Sequence, residues 1–448
     1  MKKITLSLFA AMAASCAFAQ GNLDVTNQIG NLNSASVVQV GLQNVNGILQ
    51  VGDENTANVE QRGNYNSNST ISLGAYNDAV VSQIGNRNES SQLQLGVANE
   101  AEVDQDGNRN SANQVQSGLI NYALITQDGN RNTATQDQSG TANYAEVLQE
   151  GNDNTSTQTQ DGSINSAYAY QDGNFNTVTQ TQDGVFNSAD SYQVGNRNTA
   201  TQTQDGLLNT AVSSQLGNRN TVTQTQDGDL NYADAFQLGN DNTSSQSQDG
   251  FGNEAYVFQQ GNFNSATQSQ SGDVNYADVL QLGNRNVSEQ TQVGNVNEAS
   301  VLQEGNRNQA YQIQSGDENY AYSSQDGNRN ESRQWNLGNE NISYSAVEGN
   351  DNYTHQWQSG NENLAFAMVV GNDNEVWMGQ LGNNNYSEAL QIGNDNYIHT
   401  SQDGNEHMSI NTQIGNSNYI YNRQEGSNHM HIGSQTGSGN YQSVFQSN

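Results

Sequence analysis

The sequence predicts an all-β fold, a flat two-sheet β-solenoid of cross-β-like character with one strand-turn-strand-turn rung per 22 residues. Three observations carry that expectation. Glycine recurs every eleven residues from Gly30 to Gly437, at 38 positions with no insertion or deletion. Asparagine follows three residues later, as at Asn33, Asn44 and Asn55, and only His407 and His429 break the series. Charge is phased: with glycine as position zero, no Asp, Glu or Arg of the repeats falls at positions 3, 5, 7 or 9. Random placement would put roughly a third of them there, so one face of each segment is set against charge.

The period comes first. Gln stands two residues before each glycine except where Ser72, Asn336, Val347 or Val369 replaces it. Alternate units differ, as Gly129-Asn130-Arg131-Asn132 differs from Gly140-Thr141-Ala142-Asn143. The true repeat is therefore 22 residues, and about nineteen copies fill the chain. A gapless period implies that each unit stacks on the next. At ~4.8 Å per rung, that many rungs would extend roughly 90 Å.

The turns follow from glycine and asparagine, which both tolerate positive φ. Between turns lie segments that alternate with period two, as strands do. The inner face repeats in columns. In one half of the unit, position 5 is Ala without a break from Ala35 through Ala321, and position 7 is small or β-branched, as at Val103, Ile125 and Val147. In the other half, position 7 is Gln from Gln92 through Gln356. The expected ladder residues of a representative stretch are Gln116, Gly118, Asn121, Ala123 and Gln127, then Gly129, Asn132, Gln136, Gln138, Gly140, Asn143 and Ala145. Buried amides are costly unless bonded, and stacking like on like lets each bond its neighbours.

Along the chain, residues 1–19 read as a signal peptide, with Lys2 and Lys3 before a short apolar run and Ala17-Phe18-Ala19 at the cleavage site. Residues 20–27 form a short N-terminal segment, 28–330 the regular repeats, and 331–448 a degenerate C-terminal stretch that serves as cap or interface. Cleavage would remove Cys16, the only cysteine, so no disulfide would staple the mature chain. The net charge of −33 opposes binding to nucleic acid, which needs a basic face. No later stretch approaches membrane-spanning length, so no membrane insertion is expected.

These residues resemble a known family. The stretch Gln116-Ser117-Gly118-Leu119-Ile120-Asn121-Tyr122-Ala123-Leu124-Ile125-Thr126-Gln127 is similar to the curlin repeat, and Gln248 to Gln259 and Gln270 to Gln281 return to it. Resemblance to the curlin (curli fibre subunit) family implies a secreted structural subunit that assembles with itself into functional amyloid. It also implies a biofilm setting on a Gram-negative cell surface, a nucleator subunit and a curli-type outer-membrane secretion pore.

No catalytic set, cofactor fingerprint or metal-ligand spacing stands out, so neither enzyme activity nor a cofactor is expected. Acidic turns such as Asp351, Asp373 and Asp395 read as a solvated surface rather than a calcium site. His407 and His429 read as turn residues. Eight arginines at position 2, from Arg87 to Arg329, read as charge neutralisation along a turn column. Two outward arrays stand apart. Thr177, Thr179, Thr181, Thr199, Thr201, Thr203, Thr221, Thr223 and Thr225 form a grid that offers an alternative function, a monomeric ice-binding or adhesive solenoid. Trp335, Trp357, Phe366 and Trp377 are candidate interface residues.

Overall fold

A sharp turn interrupts the backbone after every seven or nine strand residues. The computed structural model describes residues 21–448, and the expected signal peptide lies outside them. Among the described residues there is no helix, and 39 strands run from Leu23–Ile29 to Tyr441–Ser447. The chain divides into two compact units, Met1–Asn218 and Arg219–Asn448.

Each unit is a two-sheet parallel β-solenoid. Odd-numbered strands pair only with odd-numbered ones and even with even, always 22 residues apart. Thr133 pairs with Thr155, Gln136 with Gln158 and Gly140 with Gly162 in the first unit. Tyr276 pairs with Glu298, Ala277 with Ala299 and Gln281 with Gln303 in the second. The first unit holds two sheets of nine strands each, and the second holds two of eleven and ten. The ladder starts earlier than the repeat read from Gln28. Leu23–Ile29 already pairs with Val45–Val51, and Asn22 Oδ1 accepts the Asn44 backbone N–H at 3.0 Å.

The turns use positive φ differently from the sequence reading. The repeat glycines sit at φ between 105° and 136°, and the residue two positions later is left-handed at 53–62° in 36 turns whatever its side chain, Ile120 and Val274 included. The column asparagines do not adopt positive φ. They hold their place by hydrogen bonding. Asn132 donates its backbone N–H to Asn110 Oδ1 at 3.0 Å and its side-chain amide to the Gly151 carbonyl at 2.9 Å, tying three rungs together.

The core lies between the sheets. Ala123, Ile125, Ala145 and Val147 are wholly enclosed, and so are Gln127, Gln136, Gln138 and Gln149 to within 1%. One exception to the charge-free inner face precedes the repeats as read from Gly30. Asp24 takes an inner position in the first described rung, where it remains exposed and accepts the Asn46 side-chain amide at 2.7 Å.

Candidate functional site

The chemistry of this chain is laid out in columns. Three glutamine columns run through the interior. Gln136 donates to Gln158 Oε1 and to the Leu124 carbonyl of the opposite sheet, both at 2.9 Å, and accepts from Gln114 at 2.9 Å. Gln138 bonds Gln160 at 2.9 Å and the Tyr122 carbonyl at 2.9 Å, and Gln127 bonds Gln149 at 2.8 Å and the Ser111 carbonyl at 3.1 Å. The sequence shows the columns but not the bonds across to the facing sheet. Those cross-links make each amide a staple between layers as well as a link between rungs. Among the expected ladder residues, Gln116, Asn121, Ala123, Asn143 and Ala145 are buried to within 1%, while Gly118, Gly129 and Gly140 mark the turns.

The columns fail where the sequence breaks them. Asn336 is one methylene short, and its own Oδ1 and the Oε1 of Gln358 on the next rung are buried without a partner. Val369 leaves Gln391 Oε1 orphaned in the same way. An apolar cluster, Val347, Ala367, Val369, Val376, Met378, Ile398 and Ile420 among it, fills this part of the interior instead. Asn336→Gln should therefore reconnect Gln314 to Gln358 and raise stability by about 0.5–1.5 kcal/mol. Denaturant melts of the two chains measure the gain; a loss would mean that the site has closed around the shorter side chain.

The outer faces carry the other candidates. Trp335, Trp357 and Trp377 lie on one sheet, and Phe366 lies on the other, so the four do not form one surface. Around the tryptophans the His355 ring is held at 5.2 Å from Trp335 and 4.7 Å from Trp377, and Arg333 sits over Tyr311 and Tyr353. Burial pushes the His355 imidazole toward its neutral form, and both ring nitrogens lack partners. Phe366 packs between Tyr344 and Tyr386, at 6.3 and 5.9 Å with the rings tilted. In the first unit, Thr177, Thr179 and Thr181 stand directly over Thr199, Thr201 and Thr203. In the second, Thr221, Thr223 and Thr225 pair with Thr243, Ser245 and Ser247. His407 and His429 stack at 5.3 Å with nearly parallel rings, and His407 Nδ1 accepts the His429 backbone N–H at 3.3 Å, standing in for the asparagine amide.

Several outward carboxyls are crowded against neighbouring rungs. Desolvation by burial raises the pKa of Asp190, Asp234 and Asp278, which disfavours their ionised forms in the fold. A raised folded pKa costs stability that is full above it and disappears as pH falls below the ordinary aspartate value of 3.8. Asp190→Asn should raise the melting temperature at neutral pH and have no effect well below pH 3.8. Thermal melts across that range test it, and a gain that is independent of pH would remove desolvation as the cause.

The Curlin associated repeat family matches residues 129–162, 217–245 and 371–404. The chain carries curlin repeats. The third match falls within 331–448, so curlin repeats continue into the stretch that departs most from the regular pattern. No curated protein matches the chain. Curlin repeats on a two-sheet β-solenoid fit a curli-like structural subunit.

Proposed function

We propose that the protein is a subunit of an extracellular curli-like amyloid fibre that grows by stacking rung on rung. The observation that carries this reading is the repetition of the bonding scheme. Most rungs present the same glutamine and asparagine donors and acceptors, and successive rungs present the same parallel backbone edge 22 residues on. An edge built this way is a template for a second copy. The setting is the cell surface of a Gram-negative bacterium and the matrix of a biofilm, reached through a curli-type outer-membrane pore and started by a nucleator subunit. The tryptophan face of the second unit supplies an apolar contact for such a partner.

The net charge of −33 holds soluble copies apart, so growth should wait on screening. Purified protein with thioflavin T should show a lag that shortens several-fold on raising salt from ~0.01 to ~0.15 M, with fibres in electron micrographs. Persistent short rods at every salt concentration, without dye binding, would sink the fibre reading.

A further inference from the structure

Short runs of arginine interrupt the turn column, two of them complete within a single unit. In the unit Met1–Asn218, Tyr65, Arg87, Arg109, Arg131 and Asp153 occupy one turn position on successive rungs, and in Arg219–Asn448 the same order returns as Phe263, Arg285, Arg307, Arg329 and Asp351. Each run lines an open groove, of about 440 Å³ in the first unit and about 500 Å³ in the second. The two ends of each run are anchored. Arg87 lies over the Tyr65 ring at 5.6 Å and Arg285 over Phe263 at 5.4 Å, while Arg131 and Arg329 form bidentate pairs with Asp153 and Asp351. The middle arginines, Arg109 and Arg307, have exposed side chains with no hydrogen bond, ion pair or ring contact among the described residues.

Local physics does not favour arginine here. Arg109 and Arg307 are left-handed, at φ 61° and 60°, where asparagine or glycine costs least. Three like charges one rung apart, at ~4.8 Å, also repel one another. Beside each arginine column, and one rung out of step with it, runs an acidic one. Asp106, Asp128 and Glu150, and in the second unit Glu304, Asp326 and Glu348, are exposed at the ends of the strands that enter these turns, and none of them takes part in an ion pair among the described residues.

We propose that each arginine column with its acidic neighbour is a self-complementary edge through which two copies of this chain lie side by side. A cation column beside an anion column is matched by its own copy when a two-fold axis runs parallel to the rung stack. Arg109 and Arg131 then face Asp106 and Asp128 of the other copy, Arg307 and Arg329 face Glu304 and Asp326, and the contact is isologous, while Arg87 and Arg285, whose turns carry Ile84 and Leu282 in place of a carboxylate, stay on their aromatic rings. Because both columns advance by one rung, a single alignment satisfies these pairs together, and the two copies share one polarity. The acidic column repels a free polyanion, which favours a second copy as the occupant. This lateral contact is separate from end-on stacking.

The test compares three full-length chains before any fibre forms. The reversed chain carries Arg87→Glu, Arg109→Glu, Arg131→Glu, Arg285→Glu, Arg307→Glu and Arg329→Glu. The exchanged chain adds Asp106→Arg, Asp128→Arg, Glu150→Arg, Glu304→Arg, Asp326→Arg and Glu348→Arg, which restores the wild-type net charge. Both residue types already occur at these positions, since Glu54 and Glu318 are left-handed and Arg62 precedes Gly63, so the variants fit the turns. Sedimentation should show wild-type dimers strongest near ~0.1 M salt, where long-range repulsion is screened and contact pairs are not, and at least tenfold weaker near ~1 M. The reversed chain should lose the dimer and the exchanged chain regain it. Equal dimerisation of wild-type and reversed chains would overturn the proposal, as would failure of the exchange to restore it. Wild-type monomers that bind polyguluronate through the groove would overturn it too, in favour of a polyanion site. Chains that elongate with thioflavin T but never pair sideways sink this contact alone, and chains that pair but never elongate sink the fibre reading alone.

Discussion

Gly250→Ala should cost ~4 kcal/mol or more, while Gly252→Ala, two residues away, should cost about 1 kcal/mol or less. The two glycines differ in what surrounds them. Gly250 sits at φ 124°, a region that L side chains rarely enter, and a methyl group there would lie 2.2 Å from the Gly272 carbonyl oxygen and 2.9 Å from its carbon. Relief would require the next rung to move, and that rung is fixed by its own parallel pairing of Thr243–Asp249 with Ser265–Ser271. Gly252 is ordinary left-handed backbone at φ 65°, and the nearest atom to an added methyl group is Val274 Cγ2 at 3.8 Å. Valine and leucine occupy the same turn position at Val274 and Leu230. Gly252→Asn should be neutral or slightly stabilising, because asparagine tolerates this conformation and restricts the unfolded chain. Denaturant melts of the three variants measure the contrast. Equal costs for Gly250→Ala and Gly252→Ala would mean that the rungs are not as closely spaced as the 2.2 Å approach requires. On the fibre reading, Gly250→Ala should also lengthen the assembly lag.

The contrast shows where the sequence was informative. The invariant phase of Gly250 and its counterparts announced a turn, and the exclusion of charge from alternate positions announced an inside and an outside. Ala145, Val147, Gln136 and Gln138 were placed in the interior from that alternation alone, and they are there. The left-handed residue two positions after each glycine was invisible, because stacking imposes it on Arg, Ile, Val and Phe alike and leaves no compositional mark. The asparagine column is legible as a ladder of stacked amides, but its side-chain bond to the Gly carbonyl of the next rung is not, because a one-dimensional pattern does not contain it. Trp335 and Phe366 looked like one patch because both are outward-facing, but the 22-residue rung has two outer faces, and their strands belong to different sheets. Assembly leaves still less trace, since an edge that templates a copy and an edge that is blocked can carry the same repeat.

Gln136→Glu should turn the glutamine column into a pH-dependent fault. Gln136 is fully enclosed, with two donated bonds and one accepted bond at 2.9 Å each. Glutamate has nearly the same shape, so packing is preserved and only the hydrogen-bonding character changes. Ionised, it keeps the bond from Gln114 but turns its other oxygen toward two acceptors, the Leu124 carbonyl and Gln158 Oε1. Among the described residues no lysine or arginine stands on the inner face to offset the charge. The expected cost near pH ~7 is about 3–5 kcal/mol, part of it met by protonation, since burial drives a carboxyl pKa upward from ~4.3. The sign follows from linkage. The folded state favours the proton, so the penalty is smallest below the unfolded pKa, grows as pH rises through the interval to the folded pKa, and then levels off. Protonated, the residue regains one donor and should cost about 1–2 kcal/mol. Gln136→Leu serves as the control. It leaves Gln114 Nε2, Gln158 Oε1 and the Leu124 carbonyl without that partner at every pH, so its cost of about 2–4 kcal/mol should not vary between acid and neutral conditions. Unfolding midpoints of the three chains at pH ~4 and ~7 separate these cases. A Gln136→Glu penalty that is flat with pH would show that water reaches the column, and the charge-free inner face would then need another explanation. Asp24 is consistent with the same physics: it is the carboxylate found on the inner side, in a rung where it remains exposed to solvent.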